Sequence, residues 1–118
     1  MTYKQVYLVL SNIEYEPGKK IPVAYLMFPV DDPTNPPPPF ICYHYTGDDD
    51  LKADNTNYQK IRPLTVELYT DNKDFAIENA VETALNAAGL VFSRDESYVD
   101  TEKMYMVSYE TEVIITEE

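Results

Sequence analysis

The sequence predicts an α+β fold: a mainly antiparallel sheet of four to five strands with two helices packed on one face, in a single domain spanning 1–118. Three observations predict it. Apolar residues recur at helical intervals in two places and alternate at strand intervals in several others. The order is helix, strands, helix, strands, and a helix between strand groups favours helices layered over one sheet face. Consecutive strands are joined by loops, which favours antiparallel pairing.

Thr2 and Gln5 have capping-box spacing. Tyr3, Val6, Tyr7, Leu10 and Ile13 follow at helical intervals, predicting a helix over 3–14, although Val6 to Leu10 alone also suits a strand. Pro17-Gly18 ends that element. "VAYLMF" (23–28) reads as a strand stopped by Pro29, and 29–39, with six of the nine prolines, as a loop. "FICYHYT" (40–46) is a strand with Phe40, Cys42, His44 and Thr46 on one face and Ile41, Tyr43 and Tyr45 on the other. "GDDDLKADNTN" (47–57) reads as a long polar loop. "YQKIRPLTVELYT" (58–70) is a strand with Leu64, Val66 and Leu68 on one face, and Pro63, which cannot donate to a ladder, marks an edge or a bulge. Asp71 or Asn72 is the expected cap of a helix over 74–88. Its apolar stripe is Phe75, Ile77, Ala80, Val81, Ala84, Leu85 and Ala88, with Gly89 closing it and Glu82 facing solvent. A short extended piece (90–100) leads to "KMYMVSYETEVII" (103–115), where Tyr105, Val107, Tyr109, Val113 and Ile115 share a strand face.

A length of 118 residues and 44% hydrophobic content suit one ordinary globular domain. Eleven tyrosines without a tryptophan are unusual; a ring with a polar tip suits half-buried strands and protein interfaces. The net charge of −12 argues against nucleic-acid binding, which needs cations at the phosphates, and against anionic membrane surfaces. It keeps free copies soluble and mutually repelling. A lone cysteine, Cys42, leaves no intrachain disulfide and no multi-cysteine metal site. No apolar run approaches the roughly 18 residues of a membrane helix, and "MTYKQVYLVLSNIEYEPGKK" lacks the basic start and apolar core of a signal peptide. A cytosol-like compartment is the expectation.

The motifs that could carry chemistry read more simply as structure. The run Pro36 to Pro39 could dock on an aromatic groove, but its flanks are Asn35 and Phe40, with Asp31 and Asp32 upstream, rather than basic residues. It suits a stiff lead into the next strand. Cys42 and His44 share a strand face, yet a cysteine nucleophile needs a base and an orienting third group, and no second histidine exists. A packed cysteine beside a half-buried histidine is the plainer reading. Asp48, Asp49, Asp50 and Asp54 lack the alternating oxygens, internal glycine and distal glutamate of a calcium loop, and three glycines leave no phosphate loop for magnesium chemistry. Carboxylate pairs for glycoside chemistry are inevitable among twenty-one acids and mean little. Nothing here proposes an enzyme or a cofactor.

Three stretches together carry a resemblance: "PPFICYHYTGDDDLKADNTNYQKIRPLTVELYTDNKD", "IENAVETALNAAGL" and "RDESYVDTEKMYMVSYETEVII". In their order they resemble small tail proteins of long-tailed phages and prophages of Gram-positive bacteria, over about residues 22–115. The resemblance implies a tail completion or tail terminator protein: a small α+β subunit, commonly hexameric as a ring, that terminates the tail tube and joins it to the head connector. It implies as partners other copies of the chain, the tail tube protein and the head connector proteins. No catalytic residue, cofactor, membrane or sequence-specific nucleic acid belongs to the role, and the place is the virion tail or neck, assembled in the host cytoplasm. The loop bearing Asp48, Asp49, Asp50 and Asp54 would then face the lumen or the next ring. An adjacent head-to-tail joining (head-closure) protein, a non-viral acidic binding module, and a hydrolase or transferase built on Cys42 and His44 or an acidic pair are the alternatives.

Overall fold

The computed structural model describes residues 1–48, 51–53 and 56–116. Helix α1 (Tyr3–Ser11) starts where the capping box places it: the Thr2 hydroxyl accepts the Gln5 N–H at 3.0 Å and the Gln5 side chain accepts the Thr2 N–H at 2.9 Å. That satisfies two donors that every helix start leaves over. The helix stops at Ser11 rather than 14, because Glu14–Glu16 (β1) pairs with Lys19–Lys20 (β2) around Pro17 and Gly18, the latter at φ +77°. A residue before proline is pushed toward extended conformations, and the ribbon sets Glu14 opposite Lys20.

The remaining strands are β3 (Val23–Tyr25), β4 (Phe40–Tyr45), β5 (Leu51–Ala53), β6 (Thr56–Thr70), β7 (Ser93–Val99) and β8 (Met104–Ile115), with helix α2 (Phe75–Ala87) between β6 and β7. The sheet runs β3-β4-β6-β8-β7, and β5 pairs with the start of β6. Only β3 and β4 run parallel; all other described pairs are antiparallel. The α+β class and the mainly antiparallel sheet are as the sequence predicts, while two stretches differ. The strand expected over 23–28 ends at Tyr25, since Leu26 takes φ +70° and turns the chain away. The loop expected over 47–57 contains β5 in an antiparallel pair with β6, because backbone groups can pair whatever the polarity of the side chains.

Pro63 sits in a central strand with unbroken register to β8. Its carbonyl accepts the Thr46 N–H at 3.0 Å, just past the end of β4, so its missing N–H would also face that side. A local edge accommodates it, and no bond to β8 is lost.

Both helices lie on one face. Register puts Ile41, Tyr43 and Tyr45 of β4, Leu64, Val66 and Leu68 of β6, and Val107, Tyr109, Val113 and Ile115 of β8 on that side. They pack with Val6 and Leu10 of α1 and Ile77, Val81 and Leu85 of α2 in one cluster. Asp74, not Asp71 or Asn72, caps α2, accepting the Ala76 and Ile77 N–H groups at 3.1 Å. Asp71 instead accepts from Asn72. Phe75, counted in the apolar stripe, is 71% exposed. The 26–39 crossover lies over the opposite face: Phe28 meets Phe40 edge-on, and Phe40 stacks on Tyr69.

Candidate functional site

Two clusters of polar and aromatic side chains stand out at different places on the helix-covered face. The first centres on Glu78, the buried acid of α2, whose side chain is 4% exposed. Arg94 of β7 donates through Nη2 to its Oε1 at 2.5 Å, and Lys73 Nζ lies 2.6 Å from Oε2 as an ion contact without an aligned hydrogen bond. Lys73 also reaches both oxygens of Glu96, at 3.0 and 3.1 Å, and sits 4.9 Å over the Phe75 ring. Burial works against the Lys73 charge, but Glu78 and Glu96 outweigh it and hold the ammonium above its ordinary range. Glu82, expected to face solvent, accepts the Tyr109 hydroxyl at 2.9 Å and lies 3.7 Å from Arg94. These groups tie α2 to β7 and β8. Each charge meets an opposite one, so the cluster acts as a structural clamp.

The second is a cluster of tyrosines where α1, β3 and β4 meet. Tyr43 and Tyr45 stand on the helix face of β4, Tyr25 beside them on β3, and Tyr3 and Tyr7 on α1. Tyr3 meets Tyr45 edge-on at 5.2 Å, Tyr25 meets Tyr43 at 5.2 Å, and Tyr25 lies 6.1 Å from Tyr45. Edge-on rings at these distances are the favoured aromatic geometry. Tyr3, Tyr7 and Tyr25 are 46, 45 and 53% exposed. A hollow of about 410 Å³ opens here, lined by Tyr3, Tyr25, Tyr43, Tyr45, Gly47 and Arg62. Burial, helped by Tyr43, Tyr3 and Tyr25, pushes the Tyr45 hydroxyl far above the ordinary phenol range. That hydroxyl is buried and finds no hydrogen-bond partner among the described residues. A buried donor without a partner costs stability. The arrangement suits an apolar occupant that brings an acceptor.

The remaining sequence candidates separate. Cys42 is buried on the opposite face, where the Phe28 backbone N–H reaches its sulfur. Burial and the nearby Glu67 push its thiol up to about 11, which withholds the thiolate a nucleophile requires. His44 is half-buried on the same face, its Nδ1 without a partner among the described residues. Asp48 is exposed just beyond β4. Asp49, Asp50 and Asp54 lie outside the described residues. A wider hollow of about 980 Å³, lined by Thr46, Pro63, Thr65, Glu110, Thr111 and Val91 among others, offers hydroxyls and carboxylates but no histidine, cysteine or basic side chain to activate them. Among the described residues no three His, Cys, Asp or Glu side chains gather as a metal centre needs, and no helix is long and apolar enough to cross a membrane.

Sequence reasoning counted the tyrosines without placing them. The alternation in "FICYHYT" put Tyr43 and Tyr45 on one face, but only the parallel β3–β4 pairing brings Tyr25 alongside. The Glu78–Arg94 pair had no sequence signal, since neither residue belongs to a spacing motif.

No family model and no curated protein matches the chain. Among solved structures, a chain described as "Virion of native gene transfer agent (GTA) particle" is 17% identical over 79% of this chain and 77% of that chain, at a TM-score of 0.49. A likeness this loose assigns no function.

Proposed function

We propose that this chain is a structural subunit of a phage-type virion, assembling into a ring that terminates the tail tube and joins it to the head connector. The observation that carries the reading is the open tyrosine surface on a subunit whose sheet edges are poorly suited to strand pairing. Edge strand β3 has three residues between Pro22 and the turned Leu26, and edge strand β7 carries Arg94, Asp95 and Glu96. Short and charged edges resist open-ended pairing. Association then falls to side chains, and exposed aromatic rings are what protein interfaces favour.

The sequence resemblance supplies the tail and the ring; the charge fits both. A net charge of −12 per subunit lines a ring with acid, so DNA passes without sticking. The role is non-enzymatic and needs no cofactor, in keeping with the thiol held protonated at Cys42. The site of action is the virion tail or neck, with the tube protein, the connector proteins and further copies, six in the commonest arrangement, as partners.

Negative-stain images of the protein mixed with tail tubes of the same phage test this directly. Annular caps on one tube end, with tube growth halted, are the expected result. Bare tube ends with continued growth overturn it. Binding to connectors instead of tube ends moves the assignment to the adjacent head-to-tail joining protein.

A further inference from the structure

The sheet face away from the helices carries a row of polar side chains that the fold itself does not use. Leu64, Val66 and Leu68 pack toward the helices, so Thr65 between them points the other way. Thr65 stands opposite Glu110, and Glu110 opposite Ser93, which makes one row across β6, β8 and β7 with neighbours about 5 Å apart. None of the three side chains makes a hydrogen bond or ion pair among the described residues. Glu110 and Ser93 are exposed, and water can satisfy them. Thr65 is only 9% exposed, and it lines the hollow of about 980 Å³ that this row floors. A buried hydroxyl without a partner costs stability, so an occupant that supplies one is favoured.

The rest of the hollow decides what that occupant is. Pro63 and Val91 give it apolar sides, with Val91 at 89% exposure. Val91 is held in place, because the Thr111 hydroxyl donates to its carbonyl at 2.6 Å. Glu112 adds a second carboxylate to the lining, and no basic side chain belongs to it. Apolar sides over a floor of acceptors match a long cationic side chain, whose stem covers apolar surface while its head seeks oxygen. A guanidinium spreads its donors in a fixed fork and suits several acceptors in a row, whereas an ammonium is a compact point charge.

We infer that this hollow receives an arginine side chain of another virion protein, its guanidinium among the Glu110 carboxylate and the Thr65 and Ser93 hydroxyls and its stem against Val91. The arginine comes from a different protein, since both arginines of this chain are engaged in their own subunit, Arg94 in the clamp and Arg62 with a partner of its own. Charge favours that encounter: a subunit of net charge −12 draws a basic segment and repels its own copies. The inference deepens the proposed function by giving the chemistry of one joint, and rests on that reading for the source of the arginine, though not for the site.

The site is tested by NMR on the isolated, isotope-labelled chain, titrated with N-acetyl-arginine amide, whose guanidinium is its only charge. Saturable shifts of the Thr65, Ser93 and Glu110 amides are expected. Glu110→Gln should weaken binding about tenfold and Thr65→Val about fivefold, as the loss of a charged and of a neutral hydrogen bond implies. Glu14→Gln, which removes an equal charge on the separate β1–β2 ribbon, should leave binding unchanged. N-acetyl-lysine amide should bind several-fold more weakly. Absence of saturable shifts overturns the inference, as does binding indifferent to Glu110→Gln or to Thr65→Val. Equal weakening by Glu14→Gln also overturns it, because net charge alone would then attract the probe. Equal binding of the lysine probe overturns the choice of arginine. With tail tubes, Glu110→Gln should leave the ends bare. Capped tubes from a variant that no longer binds the probe leave the ring reading standing and remove this joint. Probe binding by a wild-type chain that caps no tubes does the reverse.

Discussion

The chain has two arginines, and they stand in two differently finished parts of the molecule. Arg94 is one member of a clamp in which Glu78, Glu82, Glu96, Lys73 and the Tyr109 hydroxyl answer one another across α2, β7 and β8. Arg62 lines a hollow whose rim rings are half in water and whose buried Tyr45 hydroxyl has no acceptor among the described residues. Both places are polar groups set against one sheet face. The clamp pairs each of its charges with an opposite one inside the subunit, two cations against three carboxylates, which is what a subunit needs to hold its shape. The tyrosine end leaves apolar area and a donor outstanding, which is what a subunit needs to hold something else. Substitutions at the two ends should therefore separate stability from association.

The largest effect is expected beneath the clamp. Leu85, 0% exposed, anchors α2 to the sheet, so Leu85→Ala should destabilise by about 2–5 kcal/mol in a urea melt. A loss below that of any clamp substitution would mean that charge, not packing, holds the helix.

Next comes a loss of stability at high pH, to which several groups contribute. Burial raises the Tyr43, Tyr45 and Tyr109 phenols, lifts Tyr69 to about 12 with help from Glu67, and lifts Cys42 to about 11. In each case the fold favours the neutral form, so the unfolded chain gives up its proton first. Their contribution is complete below the ordinary values, 9.0 for the thiol and 10.0 for the phenols, and is lost as pH rises through the folded ones. Denaturation midpoints should fall steadily above pH 9. Of these groups only Tyr109 belongs to the clamp, so Tyr109→Phe should keep most of the slope. A flat profile, or a slope abolished by Tyr109→Phe alone, breaks the comparison.

Arg94→Ala should cost about 1–3 kcal/mol, because buried Glu78 is left with Lys73 alone; the value stays below that of a deeply buried pair since Arg94 is 37% exposed. Equilibrium unfolding by fluorescence checks it, and a change under about 0.5 kcal/mol, ordinary for a surface position, would mean that water already screens the clamp.

How much of this was legible follows from how each part is encoded. The α2 stripe and the α1 capping box are local patterns, and the structure reproduces the box in full and the stripe except for Phe75, which is exposed. The cap of α2 was misplaced because Asp71, Asn72 and Asp74 all qualify by type, and only the start of the first turn at Phe75 selects Asp74. β5 was invisible because its strand character rests on backbone pairing rather than on alternating apolar side chains. The face carrying Tyr43 and Tyr45 was readable from alternation, whereas the hollow was not, since α1, β3, β4 and β6 each supply part of it. Glu82 looked like a solvent residue because helical period says which way a side chain faces, not which strand side chain comes to meet it.

The smallest and sharpest contrast is between two hydroxyls. Tyr109→Phe removes a 2.9 Å bond to the Glu82 carboxylate, which is itself partly open to water and can be rehydrated, so a cost of about 1 kcal/mol is expected. Tyr45→Phe removes a buried hydroxyl that bonds to nothing among the described residues, and leaves the ring contact with Tyr3 in place. The isolated subunit should be as stable as before, or more so by up to about 1 kcal/mol, because a desolvated donor is gone. Association should move the other way. If a partner subunit brings the acceptor, the Phe variant loses that bond in the complex alone, and capping of tail tubes should weaken although the fold is intact. Equal destabilisation of the subunit by both substitutions would show that Tyr45 is bonded within the chain, and the tyrosine end would then be as internally complete as the clamp.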